Sequence, residues 1–361
     1  MNDEQFEYLK SLVETPSVTG TEYNVARLVR EYVADIADEV ETNVMGSVHA
    51  VLHAAQPEDN DAKVPSVLIA AHMDEIGLMV HYISDDGFLY VSAVGGVDAG
   101  LLPGLRVDVH TKDGDLRGVV GRMPIHLIPA DERKKVASID KLCIDLGMPA
   151  EEVKKRVRTG DTITYGVGCE HFGQGMAVSR AFDDQAGVFI ATRVMEELAK
   201  AGDSKADYVC AATVQEEIGC RGGLTSAFSV HPDVAIGFDV THATDYPGID
   251  KNKFGGVECG GGPVIARGPN INPVVFERLV MAAEEEGIAY QLEAEPGVTG
   301  TDAGPMQVQQ GGIATGLVSL PLRYMHTPNE VISLADVEGC IKLLTRFIRD
   351  LDSDISFVPG M

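Results

Sequence analysis

Basic residues are scarce in this sequence of 361 residues: 29 Lys and Arg stand against 55 Asp and Glu, a formal net charge of -26 at pH 7. Such a chain has little with which to neutralise a row of phosphates, which excludes nucleic acid as its main partner. Asp leads the acids, with 29 residues against only 13 Lys, a skew that bears on solubility and self-repulsion rather than on fold. Long apolar runs are missing as well. None approaches the roughly 18 residues needed to cross a bilayer, and the acidic start Met1-Asn2-Asp3-Glu4-Gln5 has neither the basic nor the apolar region of an export signal. A soluble, cytoplasmic protein with no membrane partner is expected. The six cysteines (Cys143, Cys169, Cys210, Cys220, Cys259 and Cys340) contain no C-x-x-C pair, so neither a zinc knuckle nor a redox motif is visible. Reduced, mostly buried thiols are expected instead.

What is present is enough for a packed core. Apolar residues make up 45% of the chain and charged residues 23%, too few for a disordered acidic polymer. The length suggests two domains, or one large domain carrying an insertion, because a single core stops growing near about 250 to 300 residues. Phe6, Leu9, Leu12 and Val13, then Val25, Leu28, Val29, Tyr32 and Val33, recur at helical spacing, with Thr19 to Glu22 as the turn and cap between two helices. Four short apolar runs follow: Val67 to Ala71, Tyr208 to Val214, Val234 to Phe238 and Ile313 to Leu320. Each has the length and continuity of a strand buried on both faces. Between them lie helical patterns at Gln185 to Ala201, at Pro273 to Glu286 with Asn272 as N-cap, and from Ser333-Leu334-Ala335-Asp336 onward. Strands alternating with helices predict an α/β fold with a mostly parallel sheet covered on both faces.

The stretch 80–165 differs, with short alternating segments such as Arg106-Val107-Asp108-Val109-His110 and turns at Lys112 to Asp115 and Thr159 to Asp161. These are hairpin signals. They predict a small β domain inserted into an α/β domain built from 1–79 and 166–361.

Chemistry collects after the buried runs. The first ends in Ala71-His72-Met73-Asp74-Glu75, the second in Gln215-Glu216-Glu217-Ile218-Gly219, the third in Asp239, and the fourth leads to His326-Thr327-Pro328. Asp183-Asp184 sits just before a helix. Ligands of open parallel sheets gather outside the carboxyl ends of the strands, so these distant segments can converge. Taken singly, each feature is common: a lone His is usually structural, an Asp pair usually caps a helix. Their coincidence at strand ends sets them apart. Two imidazoles and several carboxylates suit a divalent metal site, and no thiolate is placed to join them. One zinc ion with three protein ligands leaves two of five ligands idle, whereas two ions sharing a carboxylate use all of them. Asp74, two residues from His72, can stand beside it and fix its tautomer. In Glu216-Glu217 the side chains diverge, so one can bind metal while the other faces water as general base. The remaining histidines lack this context. Gly260-Gly261-Gly262-Pro263 has no Walker lysine after it, and is expected to let backbone approach the site closely.

These residues resemble the M42 family of metallo-aminopeptidases, the glutamyl or deblocking aminopeptidases that form tetrahedral particles. The likeness runs nearly end to end, through Thr15-Pro16-Ser17 with Gly20 and Glu22, Ala71 to Gly77, Ala181-Phe182-Asp183-Asp184, Gln215 to Gly219, Asp239-Val240-Thr241-His242, Gly300-Thr301-Asp302-Ala303 and His326 to Glu330. It implies a three-layer sandwich of the zinc-exopeptidase type with a PDZ-like inserted dimerisation domain. It also implies two divalent ions per subunit, zinc first, with cobalt or manganese as alternatives. His72, Asp183 and Asp239 would hold one ion, and Asp183, Glu217 and His326 the other, with Asp183 bridging. Glu216 would be the general base, Asp74 the group that orients His72, and the bond after Asp183 a cis peptide. Gln185 departs from the Arg or Asn expected there, a change that leaves the ligands intact. Small peptides would be the substrates, and dimers would assemble into a dodecamer. The large acidic surface then suggests subunit repulsion moderated by salt.

Rival readings are another dinuclear amidohydrolase or carboxypeptidase on the same fold, a glycoside hydrolase, for which the two histidines would have no task, and an acidic assembly protein without activity. The pocket for the first residue is expected between Gly255 and Gly262 and between Gly297 and Gln307, with Thr301 and Asp302 in it. Arg267 and Arg323 either supply positive charge there or are structural.

Overall fold

Eleven strands form one sheet in the computed structural model, which describes residues 1–55, 63–131 and 133–361. The four apolar runs occupy its centre as parallel strands, in the order Asp207–Thr213, Ser66–His72, Val234–His242 and Ala314–Arg323. The sheet, expected to be mostly parallel, is parallel at this centre and in the flanking pair Val264–Arg267 with Gln291–Ala294. Glu39–Thr42 and Val48–Leu52 border one side antiparallel, and Glu330–Ser333, Met176–Ser179 and Glu170–Phe172 border the other. The reason is loop length: residues 43–47, 173–175 and 324–329 are too short to do more than reverse direction, and a parallel return needs a crossover of a dozen residues or more. The sheet is therefore mixed.

Alternation along each central strand feeds two cores. Val67, Ile69 and Ala71 face the larger one, beneath the helices Asp3–Glu14, Tyr23–Val33, Phe182–Ala201, Pro273–Glu285 and Leu334–Arg349. Leu68 and Ala70 face the smaller one, beneath Arg221–Val230 and Ala303–Gln307. Sheet and two helical faces make three layers.

Caps follow the sequence in two places and depart from it in two. Asn272 accepts from the Val274 and Val275 amides at 2.9 and 3.3 Å, with Pro273 at the first helical position. Ser333 accepts from the Asp336 amide. Asp336 does not complete a capping box; its carboxylate instead receives the Gly260 and Gly262 amides, the latter at 2.9 Å. The glycine-rich segment thus wraps an internal anion and contributes nothing to the cleft described below. Glu22 likewise leaves its own helix uncapped and accepts from the amides of Gly20 and Gln215.

A closed barrel of six short strands, Gly77–Ile83, Leu89–Val94, Cys143–Asp145, Gly114–Gly121, Arg106–Thr111 and Thr162–Tyr165, stands on the sheet with its own core of Leu78, Val80, Leu89, Val91, Val107, Val109, Val120, Ile144 and Ile163. The small β unit is a barrel; its likeness to a PDZ domain is not established by this topology.

Close backbone approach sets the position of the loop that follows the smaller core. A Cβ on Gly237, in the central strand Val234–His242, would lie 2.7 Å from the Ala303 Cβ and 2.9 Å from its amide nitrogen. Gly237→Ala should destabilise the protein by about 1 to 3 kcal/mol through overpacking, read as a lower denaturant midpoint with an unchanged m-value.

Candidate active site

The carboxyl ends of the central strands bring the predicted residues to one place. His72 closes its strand, Asp239 lies within the next, and Glu216 and Glu217 follow Asp207–Thr213. His326 arrives from the turn after Ala314–Arg323, and Asp183 from a kink at the head of Phe182–Ala201, where the Asp183–Asp184 peptide is cis. Asp183 uses both oxygens: Oδ1 is 3.1 Å from His72 Nε2 and Oδ2 3.2 Å from His326 Nε2. Glu217 Oε1 lies 3.2 Å from His326 Nε2, while Asp239 Oδ1 and Glu216 Oε2 lie 4.0 and 3.9 Å from His72 Nε2. Asp184 behaves as a cap, accepting from the Gly187 amide at 3.1 Å.

Donor spacing offers a test of fit to a metal. Ligand atoms held tetrahedrally about 2.0 to 2.2 Å from an ion are about 3.3 to 3.6 Å apart, and the separations above bracket that range. Ligand atoms lie within 4.8 Å of one another in two overlapping triads, His72 with Asp183 and Asp239, and Asp183 with Glu217 and His326, and also in a third group, His72 with Glu216 and Glu217. Charge points the same way. Burial pushes the Asp239 carboxyl well above the usual range. Burial likewise pushes Glu216 up to about 7, with His72 and the Cys220 thiol drawing it back in part. His326 is pushed up to about 11: burial opposes its charge, but hydrogen bonds to Asp183 and Glu217 outweigh burial. The carboxylates thus bind the nearest positive charge, and buried anions of this density call for cations.

Two further carboxylates hold the site together without entering it. Asp74 lies at 0% exposure and accepts from the Glu216 amide at 3.0 Å, the Glu217 amide at 3.2 Å and the Thr19 hydroxyl at 2.8 Å. His72 Nδ1 meets the backbone carbonyl of Asp74 at 2.9 Å and its carboxylate only at 3.5 Å. The orienting hydrogen bond therefore comes chiefly from the main chain, and the carboxylate serves the neighbouring strand end. Glu330 does the same on the far side, accepting from the His326 amide at 2.9 Å and the Asp183 amide at 3.2 Å. Its role was not legible in isolation, although Glu330 stands in the His326 motif. Gln185, buried, donates to the Ser17 hydroxyl at 2.9 Å and the Met73 carbonyl at 2.6 Å.

The triads open into a cleft of 590 Å³ bordered by Gly96, Cys220, Thr241, His242, Thr301 and Met325, among others. Thr301 is where the sequence places it, while Asp302 and Arg323 are not on this wall. Asp302 is buried behind it, accepting from the Thr213 hydroxyl at 2.6 Å and the Gly223 amide at 3.3 Å. Arg323 is spent on Asp245, with Nε 2.8 Å from Oδ1. Arg267 stacks over Phe276. The stretch 255–262 does not border the cleft, because Asp336 holds it elsewhere. The barrel does reach in. A Cβ on Gly96 would come within 2.7 Å of His326 Nδ1, so only glycine lets this segment lie against the imidazole.

The model of the M42 glutamyl aminopeptidase family matches residues 52–343. A lysyl aminopeptidase of Pyrococcus furiosus is 34% identical over 358 residues, covering 98% of this chain and 99% of its own. The crystal structure of a TET aminopeptidase from a marine-sediment thaumarchaeon superposes with a TM-score of 0.90 at 32% identity, covering 97% of each chain. The TET1 peptidase of Pyrococcus horikoshii, which can assemble into a tetrahedron or a large octahedral shell, gives a TM-score of 0.84 at 28% identity over 96% of this chain and 100% of its own. With four-fifths of its length inside the family match and a relative this similar along its whole length, the chain belongs to the M42 family of aminopeptidases.

Proposed function

We propose that this protein is a dinuclear metal aminopeptidase that removes residues from the free N-terminus of small peptides. The observation that carries this reading is the split use of Asp183, one oxygen toward each imidazole, which supports dividing five candidate ligands into two triads with one shared member. His72, Asp183 and Asp239 would hold one ion, and Asp183, Glu217 and His326 the other. Imidazole and carboxylate donors suit zinc, with cobalt or manganese as alternatives. When bound, the two ions supply an acidified water and a polarised scissile carbonyl.

The chain's own residues supply the rest. Glu216 stands beside the triads without being needed as a ligand, and takes the water's proton and returns it to the leaving amine. Asp74 fixes the backbone of Glu216 and Glu217 together, so base and ligand keep a constant separation. An aminopeptidase must meet the substrate's α-ammonium with carboxylate, whereas a carboxypeptidase must offer Arg or Lys to a terminal carboxylate. Among the described residues neither Lys nor Arg borders the cleft, which favours the first. A glycoside hydrolase needs two free carboxylates flanking a sugar, and here the carboxylates are engaged with imidazoles. Behind Thr241 the Glu293 carboxylate accepts the threonine hydroxyl at 2.8 Å, adding negative charge to the wall. A basic or neutral first residue fits this wall better than an acidic one.

We also propose a homo-oligomer, dimers assembling to a dodecamer in the manner of the tetrahedral relatives, with the inserted barrel, 80–165, at the dimer contact. Met123, Ile125, Leu127 and Val136, between two barrel strands, are 58, 59, 70 and 70% exposed, a concentration of apolar side chains that suits a protein contact. A cytoplasmic setting is consistent with six free thiols, and among the described residues no helix is long and apolar enough to cross a membrane.

A panel of aminoacyl-anilides and a glucan, assayed before and after chelation, tests the whole reading. Anilide hydrolysis should vanish with chelator and return with a divalent ion, Lys and neutral substrates should outpace Glu by about tenfold or more, and the glucan should stay intact; hydrolysis that survives full metal removal would refute a metal peptidase. Glu216→Gln should keep both metals and lose about 10² to 10⁴ in kcat, and near-normal turnover there would reassign the base. His326→Ala should bind one metal per chain by elemental analysis, where the parent binds two.

A further inference from the structure

Cys220 is the one thiol in the cleft, and it lies against the general base. After Glu217 the chain folds back: the amides of Gly219 and Cys220 both donate to the Glu216 carbonyl at 2.8 Å, and the Gly222 amide donates to the Val214 carbonyl at 2.9 Å. Cys220 then takes a left-handed conformation, φ 50°, at the head of the helix Arg221–Val230. Glycine is the residue that adopts this conformation without steric cost. A side chain at this position is thus held against backbone preference, and it carries a hydrogen-bond donor.

We propose that Cys220 is a positioning residue for Glu216, its Sγ–H donating to Oε1 so that Oε2 alone faces the reacting water; this rests on the assignment of Glu216 as base. Cys220 Sγ lies 3.0 Å from Glu216 Oε1, and the only other acceptor near it, the Gly300 carbonyl, is 3.8 Å away. On the opposite side Glu216 Oε2 points to the ligands, 3.9 Å from His72 Nε2. The terminal torsion of Glu is broad and two-fold, so its two oxygens exchange freely unless a neighbour distinguishes them. With the thiol present they are distinct. Burial and then the Glu216 charge both raise the thiol's pKa, so the sulfur keeps its proton and donates. At 9% exposure Glu216 has little water to replace that donor.

Three variants test this, each checked for two metals per chain and an unchanged melting temperature. Cys220→Ala should lower kcat about 5- to 30-fold with KM moved less than about twofold, because the lost contact orients the base rather than the substrate. Cys220→Ser, which retains a donor, should recover to within about threefold of the parent. Glu216→Gln is the control and should be the least active. Parent-like turnover in Cys220→Ala beside an inactive Glu216→Gln overturns the proposal while leaving the base in place. A serine variant as impaired as alanine also overturns it, since packing and not donation would then be the cause. Retained turnover in Glu216→Gln removes the base assignment, and the role of Cys220 with it.

Discussion

Everything at the carboxyl end of this sheet depends on one carboxylate being shared. Asp183 gives an oxygen to each of two imidazoles, and the remaining acids close in around that pair although like charges so near one another repel. Such an arrangement persists in a folded protein when cations neutralise it and when the backbone cannot relax away. The second condition is met by Asp74 and Glu330, each buried and each grasping the amides of two site residues. Because those amides belong to Glu216, Glu217, His326 and Asp183 themselves, none of these residues can drift without breaking a charge-assisted hydrogen bond. Backbone conformation tells the same story: of seven non-glycine residues with positive φ among the described residues, four (Ala181, Gln215, Tyr324 and His326) are triad or base residues or lie within two positions of one, and a fifth, Cys220, lines the cleft.

Much of this was legible in the sequence, and the reason is topological. A continuous apolar run is recognisable as a buried strand, and in a parallel sheet its carboxyl end has a known destination, so His72, Glu216, Glu217 and Asp239 could be placed together without any knowledge of loops. Resemblance to a family then distributed the roles. What stayed hidden depends on hydrogen bonds between residues far apart in the chain. No pattern near Asp336 says that its carboxylate is taken by the glycine-rich loop more than seventy residues earlier. Asp302 looks like a wall residue because its neighbour Thr301 is one, yet one step along the chain turns it toward Thr213 and Gly223. Arg323 looks free until Asp245 is seen beside it. The antiparallel borders of the sheet escaped because their strands are short and the turns between them give direction only when counted against strand order.

The division of labour between the two helical faces is also physical. The larger core supports the sheet from below and holds Asp183 through the long helix Phe182–Ala201, whereas on the smaller face, where four of eight core residues are alanine, Gly222, Gly223 and Gly237 let backbone and short side chains approach closely. Small residues there set a distance rather than fill a space.

The contact between Gly96 and the His326 ring has a further meaning for how the molecule can be divided. By sequence the barrel is an insert, a unit with its own core that looks removable. By geometry it reaches the candidate site, because the Gly96 backbone lies against the His326 imidazole from outside the α/β domain. A shortened protein lacking the barrel would retain every residue of the two triads and still lose a surface against which one of them is set. Separate cores do not make separable parts.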